Sequence, residues 1–348
     1  MAVGMMTPVG IGASQTATSV RAGISRQAES SIYNKRFQPM KMALLPDDAL
    51  PPLEASLESV VGLTTRQARM VRLAAPALQE VLAKVSNSAE VPVLVGTPEP
   101  LPGRTDPAGD KFLEYLGRQS GCKFNSVQSK TFPFGRSAGV FALKEGLRRL
   151  QSTKAQYVVV GGVDTYLDLY LLGTLDMEER ILADGVMDGF VPGEGAAFLL
   201  LSSDPKHSSD KELLGYVTGV ATGIEKGHRY SEEVYRGDGL SNTVQELFSD
   251  VPSSATKVNT VFAGFNGESF WAKEWGVTYL RNKERFNENI RVQHPADCFG
   301  DAGAALAPLM LGLGAIGMHK RYLNGPCLVW ASSDREERGA ALIQNGSN

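Results

Sequence analysis

Gln156-Tyr-Val-Val-Val-Gly-Gly162 and, upstream of it, Val91-Pro-Val-Leu-Val-Gly96 are short apolar runs that end on glycine between turn signals or helix-like patterns. Runs of that length predict strands buried on both faces, and so a largely parallel sheet. Between the two, Val140, Leu143, Leu147 and Leu150 recur at helical spacing while Lys144, Glu145, Arg148 and Arg149 take the opposite side, which predicts an amphipathic helix. An earlier helix is expected from the cap candidate Thr64 to about Lys84, with Val71, Ala74, Leu78 and Leu82 on one face and Pro76 kinking it. Residues 28–52 show no clean period and predict irregular chain. Pro98 to Gly109 reads as a surface loop. Beyond Pro205 the pattern restarts: a strand at Leu213 to Val220, a helix at Leu240 to Phe248, a strand at Val258 to Gly264, a helix at Trp271 to Arg281. Two α/β halves follow, residues 1–203 and 204–348, and Ser137-Ala-Gly-Val and Asp301-Ala-Gly-Ala open comparable helices in each.

Outward from that frame, 348 residues can bury a sizeable core, and 21% charged with 43% hydrophobic residues is an ordinary globular balance. Lys and Arg number 35 against 38 Asp and Glu, a net −3, with no long basic run, which argues against nucleic acid as a partner. Three cysteines, Cys122, Cys298 and Cys327, cannot build a disulfide framework and lack zinc-ligand spacing among the four histidines, so no metal is expected. A reducing, cytoplasmic setting fits them. Met1 to Val20 lacks the basic and apolar regions of a signal peptide. Ala302 to Met318, the longest uncharged stretch after it, carries Pro308, Gly312, Gly314 and Gly317 and reads as a buried core helix rather than a membrane span.

Three motifs invite chemistry. Gly312-Leu-Gly-Ala-Ile-Gly317 has dinucleotide-fingerprint spacing but ends a helix instead of opening one after a strand, so close helix packing is expected and no nucleotide or other cofactor. Gly135-Arg-Ser-Ala-Gly139 matches the G-x-S-x-G nucleophile elbow and stands between strand and helix. Ser137 is therefore either a nucleophile or the cap of the following helix. His294-Pro-Ala-Asp-Cys298 sets imidazole, carboxylate and thiol side by side, as a site at a strand-to-helix edge would, or as an exposed polar loop would.

Asp188-Gly-Phe-Val-Pro-Gly-Glu-Gly-Ala196, followed by Ala197-Phe-Leu-Leu-Leu, closely resembles the D-G-F-V-x-G-E-G-A motif of the β-ketoacyl-acyl-carrier-protein synthases. The surrounding order is similar too: Gly4-Met-Met-Thr-Pro-Val-Gly10, the helix from Thr65, Val158-Val-Val-Gly-Gly-Val163, Gly300-Asp-Ala-Gly-Ala304 and Gly339-Ala-Ala-Leu342. The resemblance spans most of the chain, most weakly over residues 25–63 and 200–255. It implies an α/β, thiolase-like, five-layered α-β-α-β-α fold of two related halves, usually a homodimer. Asn125 to Phe132, ending at Pro133, is then expected to be the edge strand that pairs with its copy. The start at Met1 leaves little of the first strand, so N-terminal residues are expected to be missing.

The resemblance also locates what is replaced. The family's cysteine nucleophile falls on Arg136, its two histidines on Gly264 and Asp297, and its apolar gate on Asp334-Arg-Glu-Glu337. A guanidinium has no accessible neutral form with which to attack an acyl group. The leading expectation is a dimeric acyl-binding or scaffolding protein without condensing activity, or the partner of an active synthase, with acyl carrier protein as a further partner. Its degenerate pocket comprises Arg136, Ser137, Gly264, Asn266, Glu268, Asp297 and Cys298, gated by Asp334, Arg335, Glu336 and Glu337, with Arg136 paired to Asp297 or Glu268. The alternative is a serine-based acyl transferase or hydrolase with Ser137 as nucleophile and His294 or Asp297 as base. The family's own condensation, in fatty-acid or polyketide synthesis, stands third.

Overall fold

The computed structural model describes residues 2–152, 155–207, 213–249 and 257–345. In chain order the elements are β1 (Ala2–Thr7), β2 (Gly10–Ile11), α1 (Ala13–Arg21), β3 (Ala28–Tyr33), β4 (Pro39–Met42), α2 (Ala55–Glu58), α3 (Thr65–Leu82), β5 (Val93–Gly96), α4 (Phe112–Ser120), β6 (Lys130–Phe132), α5 (Ala138–Ser152), β7 (Val158–Thr165), α6 (Leu169–Met177) and β8 (Glu194–Leu201). They continue as β9 (Tyr216–Ile224), α7 (Asp238–Leu247), β10 (Val258–Phe262), α8 (Ser269–Arg281), β11 (Phe286–Gln293), α9 (Ala296–Phe299), α10 (Leu306–His319), β12 (Cys327–Ser332) and β13 (Glu337–Gln344). Thr64 caps α3 through a reciprocal pair with Gln67, and Pro76 lies inside that one helix without ending it.

Two sheets organise the molecule, in the orders β2-β1-β8-β7-β5-β6 and β11-β10-β12-β13-β9. The apolar side of α5 and α10, buried from Leu306 to Met318, fill the space between them. The far face of the first sheet is covered by α3 and α4, and that of the second by α7 and α8. This is the five-layered α-β-α-β-α arrangement of a thiolase-like α/β fold. In α10 the glycines serve packing: a Cβ on Gly312 would lie 2.4 Å from the Met5 methyl.

Several expectations are corrected. The sheets are mixed rather than largely parallel, because β8 returns antiparallel to β7 and β1, and β12 and β13 form a hairpin flanked by antiparallel β9. Residues 28–52 hold the hairpin β3–β4, whose alternation is too short to show a period. The edge strand before the elbow is only β6, since the chain turns at residues 126–128. β1 is a full six-residue strand. The strand expected at Leu213 begins at Tyr216; part of the preceding chain, residues 208–212, lies outside the described residues.

Candidate functional site: a buried ion cluster

Five stretches of chain, those carrying Arg136, Arg180, Glu268, Asp301 and Asp334, meet where the two sheets approach the start of α5. The first is the single turn Gly135–Ser137, which presents Arg136 inward with the side chain 2% exposed. The guanidinium spends every nitrogen: Nε donates to the Ser332 carbonyl at 3.0 Å, Nη1 to Asp301 Oδ2 at 2.7 Å, and Nη2 to Asp334 Oδ1. Its plane lies over Trp271, 4.4 Å from the ring centroid. Burial works against its charge, but Asp334 and Asp301 outweigh that and hold it well above its usual value.

Arg180 completes the cluster. One edge of its guanidinium forks onto Glu268 (2.8 and 3.0 Å), and Nη1 and Nη2 reach Asp334 at 2.7 and 3.0 Å. Glu268 also accepts from Asn266, Trp271 and Arg229, and Asn266 bridges on to Asp301 at 2.9 Å. Burial raises the Asp334 and Glu268 carboxyls, yet the guanidiniums beside each more than reverse it and both end below their ordinary values. Glu99 behaves oppositely. Its carboxyl accepts the backbone N–H groups of Asp334 (2.9 Å) and Arg335 (3.2 Å), and enclosure together with the Asp334 charge raises it to about 8.

The residues expected to form one pocket divide. Arg136, Asn266, Glu268 and Asp334 come together. Gly264 lies nearby against β12, where a Cβ would sit 3.0 Å from the Trp330 carbonyl oxygen, leaving little room for a larger side chain. Asp297 stands apart from the cluster: its side chain is 73% exposed and pairs with His294 Nδ1 at 2.6 Å. They line an outer groove of about 300 Å³ with Val20, Phe262 and Cys298. The expected pairing of Arg136 with Asp297 or Glu268 is thus replaced by Asp301 and Asp334. The cause is local. The short helix α9 turns Asp297 outward, and the chain then reverses at Gly300, φ 72°, which carries Asp301 inward.

Ser137 is fully buried, and its hydroxyl contacts Ser333 Oγ at 2.7 Å and the Phe134 carbonyl at 3.3 Å. That geometry is neither a helix cap nor a pairing with His294 or Asp297. In the gate, Asp334 joins the cluster and Glu336 faces solvent. Arg338, just beyond, pairs with buried Glu274 at 2.6 Å and gathers the carbonyls of Ser333, Arg335 and Glu337.

Sequence reasoning missed Arg180, Asp301, Glu99, Arg229 and Arg338. Arg180 follows Glu178 and Glu179, so it reads as part of a solvated charge run. Asp301 offered a signal: it is the one charged residue in the small-residue run Gly300-Asp-Ala-Gly-Ala304, at the mouth of a buried helix. Among the described residues no group of three His, Cys, Asp or Glu side chains could hold a metal. No described helix is long and apolar enough to cross a membrane.

Residues 135–207 match the family model of the β-ketoacyl synthase N-terminal domain. No curated protein sequence matches the chain significantly. Among solved structures, the ketosynthase of module 6 of the bacillaene synthase from Bacillus subtilis 168 aligns with a TM-score of 0.79 at 12% identity, covering 100% of this chain and 72% of that one. The ishigamide ketosynthase/chain length factor aligns at 0.76 and 13% identity, covering 99% and 98%. A type II polyketide-synthase ketosynthase, bound to a hexaketide and in complex with its acyl-carrier protein, aligns at 0.75 and 14%, again covering 99% and 98%. Identities this low carry the fold alone, and that fold is the ketosynthase fold.

Proposed function

We propose that this chain, a ketosynthase-fold protein with a β-ketoacyl synthase N-terminal domain over residues 135–207, carries out no condensation and serves as the structural partner of an acyl-processing synthase. The observation that carries this reading is Arg136. At the position that the resemblance assigns to the nucleophile, a guanidinium is fixed by Asp301, Asp334 and the Ser332 carbonyl, with Trp271 beneath it. Covalent catalysis needs a group that can attack an acyl carbon, and decarboxylation needs donors aimed at the developing enolate oxygen. The cluster supplies neither: its cationic donors are already spent on carboxylates.

Partnering is supported by what the surface leaves open. β6 is the outer strand of the first sheet, and α6 is rich in apolar residues yet exposes Leu169, Tyr170 and Met177. A strand edge and an apolar helix face both call for cover. We take the cover to be a second copy or a homologous synthase, with the two halves dividing near residue 203, in the cytoplasm, where the free thiols of Cys122, Cys298 and Cys327 would persist.

The test is intact mass after incubation with acyl- and malonyl-carrier protein. An unchanged chain with no carbon dioxide released is expected. An ester on Ser137 or a condensed product overturns the proposal. Arg136→Cys alone is expected to stay inactive, because Gly264 and the outward Asp297 still offer no imidazole; losing even one oxyanion donor costs about 10²–10³ in rate.

A further inference from the structure

We propose that Glu99 is a protonation-controlled latch that holds the 333–336 loop closed over the Arg136 cluster. The proposal deepens the reading of this site as a closed, unreactive pocket and names what governs its closure.

The geometry begins with the loop's two sides. Its carbonyls at Ser333 and Arg335 are gathered by the buried Arg338 guanidinium, which is itself anchored on Glu274. Two of its N–H groups, those of Asp334 and Arg335, point the other way and meet the two oxygens of Glu99. Glu99 comes from the loop after β5, so this contact joins the first half of the chain to a hairpin of the second. Gly135 fits against it: φ there is +58°, and a Cβ would lie 2.8 Å from Glu99 Oε1. Arg136 follows immediately, so the carboxyl is wedged between the turn that presents Arg136 and the loop that presents its partner Asp334.

Charge explains why a proton belongs there. Three guanidiniums, Arg136, Arg180 and Arg229, face three inner carboxylates, Asp301, Asp334 and Glu268, with the part-exposed Glu178 at the rim 3.8 Å from Arg180. Ionised, Glu99 would be a fourth negative group in that enclosure. The groups around it are Asp334 and Arg335 from the hairpin, Arg136 from the turn before α5, and Tyr230, whose phenol is itself raised by burial first and then by charges that include Glu99. Burial first and the Asp334 charge second raise the Glu99 carboxyl and outweigh the Arg136 charge and the two N–H bonds from Asp334 and Arg335, which lower it, and Arg136 already serves Asp301 and Asp334.

The direction follows from linkage. The closed loop favours protonated Glu99 up to about pH 8, while an opened loop returns the carboxyl to water and its ordinary value of 4.5. Between those limits opening releases a proton, so the open fraction rises with pH by up to about tenfold per unit, and it levels off above pH 8. Acid tightens the latch and mild alkali loosens it.

Hydrogen exchange of the Asp334 and Arg335 amides in the full chain tests this, each rate being divided by its intrinsic base-catalysed rate and compared with amides of β7. Wild type should show a several-fold rise per pH unit between 6 and 8 that flattens above 8. Glu99→Gln should show no such slope, whatever its absolute exchange rate, because its side chain cannot titrate. Asp334→Asn should move the flattening to lower pH by removing a charge that opposes ionisation. A flat wild-type profile, or a slope that survives in Glu99→Gln, overturns the latch. Either result would leave the absence of condensation untouched, just as condensation by the wild-type chain would leave the exchange profile standing.

Discussion

Asp297 and Asp301 stand four residues apart on either side of Gly300, and they live in opposite worlds. Asp297 reaches solvent and pairs with a half-exposed His294 at 2.6 Å, whereas Asp301, 1% exposed, meets Arg136 at 2.7 Å, Asn266 and the Gly303 N–H. The two ion pairs are nearly equal in length, so distance does not separate them; solvent does. An exposed pair trades water for a partner at almost no net gain, while a buried pair leaves a stranded charge when either member is removed. The outer groove therefore offers a ready-made constellation with little energy behind it, and the interior cluster holds the five stretches of the site together.

The largest effect should come from removing the guanidinium. Arg136→Ala would leave Asp301 and Asp334 without their shared cation and expose the face of Trp271 to an empty space. A loss of about 3–5 kcal/mol is expected, measured by urea unfolding. A loss below 1 kcal/mol would erase the distinction between the interior and the groove, since it would mean that the cluster is worth no more than a surface pair.

Acid should sharpen the same contrast. Asp334 and Glu268 both have folded values below their ordinary 3.8 and 4.5, so their contribution is complete above those values and is lost as pH falls through and below them. Glu99 runs the other way: with its folded value raised to about 8, its contribution is complete below 4.5 and fades as pH climbs to 8. Melting temperature is therefore expected to fall on the acid side of about pH 4 and to decline steadily between about pH 4.5 and 8. In Asp334→Asn the acid fall should shrink. A profile unchanged by that substitution would assign the acid sensitivity to carboxylates elsewhere.

Much of the frame was legible. The glycine-ended runs at residues 91–96 and 156–162 gave β5 and β7, and the Thr64 cap gave the start of α3, because each rests on local chemistry that the chain carries with it. The Asp188 to Ala196 motif was equally informative, and the structure shows what its acidic residues do. Asp188 accepts from the N–H and hydroxyl of Ser269 at the start of α8. Glu194, fully buried, takes both Arg69 donors at 2.6 Å together with Thr165 and the Leu45 N–H. The site was less legible because its partners are far apart in sequence. Arg180 finds Glu268 and Asp334 only after the sheets pack, and no local pattern marks an arginine that will be buried. Asp297 misled for the converse reason: alignment fixed its position in the chain, but the outward turn of α9 fixed its direction.

The smallest expected effect lies in the groove. Asp297→Asn removes one charge of the His294 pair while leaving the Gln27 amide bonded to the Asp297 backbone carbonyl at 3.0 Å, so the local chain keeps its anchor. With side chains 47% and 73% exposed, both partners recover water when they separate, and salt at physiological strength screens what attraction remains. A change of about 0–1 kcal/mol is expected, shrinking further in high salt. The decisive comparison is a double-mutant cycle of His294→Ala with Asp297→Asn, run beside one of Arg136→Ala with Asp301→Asn. If the groove pair coupled as strongly as the interior pair, solvent exposure would not be what separates the two aspartates, and the groove, with its imidazole, carboxylate and nearby Cys298, would become the place to look for chemistry.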